Sequence, residues 1–318
     1  MRSVLTVASI SVDQGQRVMQ EVAVPVAGRT ITVPVIAING ERDGPRVAIT
    51  AGIHGAEYVG IEAARRLGTG VEPHEVAGSI VVVPIANTTA FHARSIYTSG
   101  LDNSNLNRCF PGNLNGTPSE VLASWLFQNI IRPSQYYVDL HGGDLIEALV
   151  PFVLYVGTPN FQVEETAQAM ALATGIPRVI RSVTTGSTYA AATAAGIPAI
   201  LAEVGGQGVW SEDLVQQHAE GSRRVLRHLR VLSGEQPTVD RGRPIYETFA
   251  WMRAEAAGLF HPWVQVGDSV ERGQTIGRIT DYFGNERQRL AAVAGGEVGF
   301  LVTSLAINAG DPLLAIIS

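Results

Sequence analysis

Hydrophobic positions between residues 47 and 232 fall into short continuous runs that alternate with amphipathic stretches. Continuous apolar runs are typical of buried strands, and amphipathic stretches are typical of helices. The alternation predicts an α/β fold with a mixed, mainly parallel sheet and helices on both faces. The predicted strands are 47–53, 79–87, 135–143, 150–157 and 198–206, and the predicted helices are 57–67, 119–131, 163–175 and 211–232.

Three β-rich runs precede this region, at residues 3–12, 20–28 and 29–40. The last two meet at a glycine–arginine turn, which is typical of a β-hairpin. We expect this N-terminal hairpin to lie across the sheet of the following region.

The pattern of hydrophobic and polar positions changes near residue 240, and helical periodicity disappears after Ala254. Residues 258–279 and 291–317 are short apolar runs separated by Gly-Asp and Gly-Gly turns, which predict β-strands. We therefore predict a catalytic domain over residues 1–245 and a small all-β module over 246–318. The module resembles the barrel-sandwich hybrid fold of lipoyl and biotinyl carriers, but neither half contains a lysine that could carry such a group. An accessory role is therefore expected.

Composition narrows the classes of function. The 318 residues contain 29 acidic and 23 basic side chains, which gives a net charge of −6 and disfavours binding to nucleic acid or to an anionic membrane. The single cysteine, Cys109, excludes an internal disulfide and fits a reducing compartment. The start of the chain has no signal-peptide pattern, and its apolar runs fall short of the ~20 residues that span a bilayer. A cytoplasmic protein is expected. A homo-oligomer is possible, because many proteins form symmetric homo-oligomers.

The first candidate for chemistry is the segment AGIHGAEYVG at residues 51–60. His54 and Glu57 lie three positions apart where a predicted strand leads into a predicted helix. This spacing can bring an imidazole and a carboxylate to one cation. Gly52 and Gly55 allow the sharp bend that such a turn needs. An HxxE pair alone also occurs often by chance.

A second candidate, DLHGG at residues 139–143, closes another predicted strand. His141 can therefore meet His54 and Glu57 at the same edge of the sheet. Two histidines and one glutamate, with a fourth position open for water, are typical of catalytic zinc. The alternative is a strand-end histidine bonded to backbone. Asp139 either orients one of the metal ligands through a hydrogen bond or accepts hydrogen bonds only from the backbone amides of a loop.

Two further segments carry polar side chains suited to catalysis. The irregular segment 93–112 contains Arg94, Asn107 and Arg108, and an arginine can bind a carboxylate or stabilise an oxyanion; the alternative is a solvated loop. Glu203 ends the apolar run ILAEVGG, where burial raises a carboxyl pKa and suits it to general base and then acid catalysis. The alternative there is a salt bridge to one of the arginines.

The motifs HGAE, LNRCFPG, DLHGG and AEVGG occur in this order over roughly residues 45–235. In this order and spacing they resemble the succinylglutamate desuccinylase/aspartoacylase family, which belongs to the zinc carboxypeptidase-like fold group. The form LNRxFPG resembles the branch of predicted deacylases within that family, which leaves the acyl group open.

The resemblance implies a role for each matching residue. One zinc ion per subunit would be held by His54, Glu57 and His141. Glu203 would be the catalytic acid/base, Arg94 would polarise the scissile carbonyl, and Asn107 with Arg108 would bind a substrate carboxylate.

Together these features predict a zinc-dependent amidohydrolase that removes an acyl group from a small N-acylated amino acid or related amine, using metal-activated water. Serine and cysteine nucleophiles lack support, because the chain has no G-x-S-x-G motif and Cys109 has no evident base partner. Two alternatives stay open: a zinc carboxypeptidase acting on short peptides, and a non-catalytic protein that binds a metal or small molecule on the same fold.

Overall fold

The computed structural model describes residues 4–318, so Ser3 of the first predicted run lies outside the described residues. The strands are β1 Val4–Val7, β2 Ile10–Asp13, β3 Gln16–Val26, β4 Arg29–Asn39, β5 Arg42–Ala51, β6 Ala77–Val83, β7 Tyr136–His141, β8 Glu147–Leu149, β9 Phe152–Val156, β10 Arg178–Ser182, β11 Ala199–Glu203, β12 Ile245–Tyr246, β13 Phe249–Arg253, β14 Gly258–Pro262, β15 Ser269–Val270, β16 Thr275–Thr280, β17 Glu286–Ala291, β18 Gly296–Val302, β19 Ala306–Ile307 and β20 Pro312–Ile317. The α-helices are α1 Tyr58–Gly70, α2 Thr88–Ala93, α3 Pro118–Leu126, α4 Phe161–Ala173, α5 Thr188–Ala194 and α6 Glu212–His228.

Nine strands form the main sheet, in the order β12-β10-β9-β11-β7-β5-β6-β4-β3. Five of its eight strand pairs are parallel, including the central pairs β11–β7, β7–β5 and β5–β6. The other three pairs are antiparallel. The prediction of a mixed, mainly parallel sheet is confirmed.

Both faces of the sheet are covered, which explains why its central strands are apolar without alternation. On one face, α1, α4 and α6 pack against the strands and against one another. On the other face, α5 packs over β7, β9 and β11, and α3 contacts β3. The prediction of helices on both faces is confirmed as well.

The N-terminal hairpin differs from expectation. Strands β3 and β4 pair along their full length, and β4 then pairs with β6 through Ile36–Asn39. The hairpin therefore extends the main sheet at its edge, and the prediction that it lies across the sheet is wrong. The physical reason is that β4 hydrogen-bonds to β6 and thereby satisfies backbone groups that β6 would otherwise leave open.

The C-terminal part consists of antiparallel strands, as predicted. One sheet has the order β13-β20-β18-β15 and the other β17-β16-β14-β19. Strand β8, which follows β7 in the chain, pairs with β18 and so fixes the C-terminal sheets against the main body. The predicted boundary at 245/246 falls inside β12, which still pairs with β10 of the main sheet. The division into two domains stays a prediction.

Several short elements had no clear pattern in the sequence. These are α2, α5, β8, β10 and β12, none longer than seven residues. Short elements carry too few residues for a period to emerge. Within residues 4–318, no helix has the length and apolar character needed to cross a membrane.

The contact between α1 and β7 gives a first prediction. A Cβ at Gly60 would lie 2.8 Å from the carbonyl oxygen of Leu140, next to His141. We expect Gly60→Ala to lower the free energy of unfolding by about 1–3 kcal/mol, because backbone must move to admit the methyl group. Denaturant unfolding measures this change.

The matched control is Gly70→Ala in the same helix, where the new Cβ would lie 3.5 Å from the flexible side chain of Arg223. Its stability should stay unchanged or rise slightly, since alanine favours a helix more than glycine does. Equal losses in both variants would contradict the close packing of α1 on β7.

Candidate functional site

The ends of three neighbouring strands define the site. Strand β5 ends at Ala51, just before His54, and β7 ends at His141. Strand β11 ends at Glu203, whose Cα is the register partner of His141. Because these strands are parallel, their carboxyl ends meet at one edge of the sheet. The structure therefore brings His54, His141 and Glu203 to the same edge of the sheet, as the sequence predicts.

The turn after β5 brings His54 and Glu57 to this edge. Gly52 has φ of +64°, a conformation that side chains rarely adopt. A Cβ at Gly55 would lie 2.1 Å from the backbone nitrogen of Phe91, so α2 approaches too closely for any side chain there. Glu57 is the residue before the first turn of α1. Both glycines are thus needed for the position of the two polar side chains.

The three predicted ligands converge in the structure. The Nδ1 atom of His54 lies 2.7 Å from one carboxylate oxygen of Glu57, and the Nδ1 atom of His141 lies 2.8 Å from the other. All three side chains are buried, and their ligand atoms lie within 4.8 Å of one another. This compact group of two nitrogen donors and a carboxylate can hold a metal ion.

The outer nitrogen of each histidine shows which atom is free to bind a cation. His54 Nε2 lies 3.0 Å from Asn105 Oδ1, which also accepts the backbone N–H of Asn107. His141 Nε2 lies 2.9 Å from the Asp139 carboxylate. With Nε2 as the donor to Asn105 Oδ1 and to Asp139, each Nδ1 is the ring nitrogen that faces Glu57.

Two ring nitrogens and a carboxylate that face one another at this distance require positive charge between them. In the protein alone, protons supply it: burial opposes the charge of His141, but the carboxylates of Glu57 and Asp139 outweigh burial and raise its pKa. A metal ion would supply the same charge with all three donors already oriented. The residues present therefore fit a metal ion.

Asp139 resolves an alternative that the sequence left open. Its carboxylate accepts hydrogen bonds from His141 Nε2, from the Thr50 hydroxyl at 2.6 Å and from the Thr188 hydroxyl. Asp139 thus holds a ligand from behind and is bonded to side chains rather than loop amides. Thr188 is the first residue of α5, an element that the sequence pattern did not reveal.

Glu203 lies beside the three ligands and is half-buried. Its Oε2 atom is buried and has no hydrogen-bond partner within residues 4–318. The ion pairs of this part of the chain do not include Glu203, so the salt bridge considered as an alternative is absent there. Burial, reinforced by the charge of Glu57, raises the pKa of Glu203 well above its usual range. A carboxyl group in this state can exchange a proton with a reactant.

The structure separates the polar residues of the segment 93–112. Asn107 is buried, and Arg108 lines the cavity beside the metal ligands. Arg94 is exposed, follows the last turn of α2 with φ of 51°, and is not part of the cavity wall within residues 4–318. The roles assigned to these three residues stay predictions.

A cavity of about 630 Å³ opens over the ligands and Glu203. One wall is apolar and comes from two parts of the chain. It includes Phe152 of β9, the register partner of Glu203, and side chains of the C-terminal module. The apolar C-terminal residues are Phe249, Trp251, Phe300 and Pro312, and the charged Arg253 of the same module also lines the cavity. The module therefore covers part of the site.

Sequence reasoning missed several cavity residues, among them Tyr97, Asn105 and Glu147. Asn105 contacts His54, and the Tyr97 ring packs edge-on against the same histidine with centroids 6.3 Å apart. The Tyr97 hydroxyl donates to Glu147 at 2.5 Å. The sequence does contain a signal for Glu147, because an acidic residue within the apolar run 145–156 is unusual and indicates a buried carboxylate with a specific role.

Comparison with known families agrees with this geometry. The family model described as the succinylglutamate desuccinylase/aspartoacylase catalytic domain matches residues 43–229, more than half of the chain. The resemblance inferred from the four motifs is confirmed, and with it the prediction of a deacylase-type hydrolase with a His/Glu/His metal site.

Individual relatives extend the likeness to the whole chain. The N-alpha-acetyl-L-2,4-diaminobutyric acid deacetylase of Halomonas elongata is 29% identical over 258 residues, which are 79% of this chain and 75% of that protein. The product-bound ectoine utilization protein EutE (DoeB) of Ruegeria pomeroyi superposes with a TM-score of 0.88 at 25% identity, covering 99% of this chain and 98% of the other. A succinylglutamate desuccinylase/aspartoacylase of Rhodobacter sphaeroides gives 0.85 at 26% identity over 96% and 97% of the two chains.

The contact between Asn105 and His54 gives the prediction for this site. We expect Asn105→Ala to weaken binding of a divalent metal by about 10–100-fold, because His54 loses the acceptor that orients its ring. Competition with a chromogenic chelator measures the affinity. Asn115→Ala, an exposed asparagine in the loop after the LNRCFPG motif, is the matched control and should bind metal like the wild type. Unchanged affinity in Asn105→Ala would contradict the orienting role.

Proposed function

The chain belongs to the succinylglutamate desuccinylase/aspartoacylase family, and from this premise we propose that it is a zinc-dependent deacylase of small N-acylated amino acids or related amines. The observation that carries the proposal is the convergence of His54 Nδ1, His141 Nδ1 and the Glu57 carboxylate beside an unpaired oxygen of Glu203. Two imidazoles and one carboxylate favour zinc over magnesium or calcium, which prefer oxygen ligands.

In the proposed reaction, His54, Glu57 and His141 would hold the zinc ion, which when bound would supply Lewis acidity toward a carbonyl oxygen and a water molecule. Glu203 takes the proton of the attacking water through its free Oε2 atom. As the C–N bond breaks, Glu203 returns that proton to the leaving nitrogen, so a carboxylate and an amine are formed. Burial, which raises the pKa of Glu203, favours its holding the proton between the two transfers.

Substrate binding is proposed from the polar wall of the cavity. Arg108 lines the cavity and would hold a carboxylate of the substrate, and buried Asn107 would support that loop, since its side-chain oxygen accepts the Thr188 N–H. The role of Arg94 in polarising the carbonyl would require its exposed side chain to reach a cavity that it does not line. Arg94 is therefore the least supported member of the proposed set.

The cover provided by the C-terminal module favours a small substrate over a polypeptide. Phe249, Trp251 and Phe300 form consecutive ring contacts, with centroids 5.1 and 5.0 Å apart, and they lie along the cavity. A peptide chain would have to pass this aromatic wall, whereas a free amino acid derivative would not. Nα-Acetyl-L-2,4-diaminobutyrate, the substrate that names the Halomonas elongata relative, is the first compound to test.

Replacement of Glu203 tests the proton-transfer role. We expect Glu203→Gln to lower kcat at least about 10²–10⁴-fold, because glutamine cannot accept the proton of water. Zinc content should stay near one per chain, since the three ligands are intact. Glu235→Gln, which changes an exposed glutamate, should behave like the wild type. Full activity in Glu203→Gln would remove Glu203 from the mechanism.

Metal exchange tests the cofactor. We expect a strong chelator to abolish deacylation, and zinc to restore it, because Glu203 alone cannot activate water and the carbonyl together. Magnesium should not restore activity, since it binds imidazole nitrogen poorly. Thermal unfolding provides a second reading: zinc should raise the midpoint by binding the folded site. Undiminished activity after chelation would contradict a metal-dependent reaction.

A further inference from the structure

The proposed mechanism leaves one buried carboxylate of the cavity unused, that of Glu147. Only 7% of this residue is exposed, yet it lines the same cavity as His54 and Glu203. One of its oxygens accepts the Tyr97 hydroxyl, and the other accepts the backbone N–H of Asp144 at 2.8 Å. A carboxylate accepts about four hydrogen bonds, so both oxygens retain capacity.

No positive side chain balances Glu147. The ion pairs formed within residues 4–318 do not include it, although buried carboxylates are normally paired. Its neighbours add negative charge instead, since Asp144 is buried beside it and accepts the backbone N–H groups of Tyr97 and Leu145. Burial, together with the charges of Glu57 and Asp144, raises the pKa of Glu147 to about 7. A cation brought into this part of the cavity would relieve the imbalance.

Positive charge lines the same cavity at Arg108, Arg181 and Arg253, of which Arg181 is paired with Glu164. Arg108 is exposed there and forms no ion pair within the described chain; its side chain donates to the backbone oxygen of Asn107. A cavity that offers both an unpaired guanidinium and an unpaired carboxylate is complementary to a ligand with both charges. N-acylation removes the charge of the α-amine, so an N-acylated amino acid keeps a positive charge only if its side chain carries one, as the second amine of a diamino acid does.

We propose that Glu147 is a specificity-determining residue that binds a free ammonium group of the substrate, so that the preferred substrates are N-acylated diamino acids. The inference rests on the proposed deacylase function and names the substrate class of that site. The ammonium donates to the Glu147 carboxylate in place of solvent, while Arg108 holds the substrate carboxylate. A charge-assisted hydrogen bond of this kind discriminates strongly in a buried site, because an uncharged analogue leaves the carboxylate unpaired.

Glu147 also anchors Tyr97 and Asp144, so a purely structural role must be separable by experiment. Loss of a structural anchor would lower activity on charged and uncharged substrates alike. Loss of an ammonium site would lower activity on the charged substrate alone and would act mainly through KM. The ratio of kcat/KM values for an isosteric pair distinguishes these cases.

The test compares Nα-acetyl-L-2,4-diaminobutyrate with N-acetyl-L-norvaline, in which a methyl group replaces the ammonium, on the zinc-loaded full chain. We expect the wild type to favour the charged compound by about 10²-fold or more, and Glu147→Gln to reduce the ratio to near one. Tyr97→Phe, which removes the hydroxyl that contacts Glu147 but keeps its charge, should retain the preference. Equal use of both compounds by the wild type, or an unchanged ratio in Glu147→Gln, would overturn the proposal while leaving the deacylase function intact.

Calorimetry separates failure of this inference from failure of the function. If the wild type hydrolyses neither acetyl compound, the deacylase proposal fails for these substrates. Binding of the product amino acids then decides the role of Glu147. Tighter binding of 2,4-diaminobutyrate than of norvaline, lost in Glu147→Gln, supports the ammonium site. Equal binding of the two amino acids overturns it.

Discussion

Two imidazole nitrogens that face one buried carboxylate are the interaction on which the rest of the site depends. His54 and His141 each turn Nδ1 toward Glu57, and all three side chains are buried. Such a group is stable only with positive charge at its centre. The same demand explains the outer contacts, because Asn105 and Asp139 accept the Nε2 protons and thereby fix both rings.

The fold meets this demand by bringing distant segments to one sheet edge. Parallel pairing of β5, β7 and β11 aligns the residues after three strand ends, and Gly55 lets α2 pack against the turn that carries Glu57. Helix α5 adds Thr188, which contacts both Asp139 and Asn107. The first residue of α5 thus supports both His141, through Asp139, and the loop proposed to bind substrate. Strand β8 places the C-terminal module over the cavity and carries Glu147 into its wall.

The residues that follow the ends of the predicted strands were sufficient to predict the core of the site from the sequence. Apolar runs followed by His54, His141 and Glu203 identify three residues that parallel strands must bring together. The positions of side chains in irregular segments could not be predicted in this way, because a loop has no hydrophobic periodicity that fixes its path. Arg94, predicted to polarise the scissile carbonyl, is exposed and does not line the cavity within residues 4–318, whereas Tyr97, three residues later, lines it. Asn105 contacts His54 and Glu147 contacts Tyr97, and sequence spacing does not encode these tertiary contacts.

The central claim is that one zinc ion is held by His54, Glu57 and His141. X-ray absorption at the zinc edge of the purified protein tests it most directly, in the wild type and in His141→Ala. We predict about one zinc per chain with two imidazole nitrogens at ~2.0–2.1 Å and further oxygen ligands, and loss of one imidazole in the variant. A shell of oxygen alone, or an unchanged imidazole count in His141→Ala, would contradict the account.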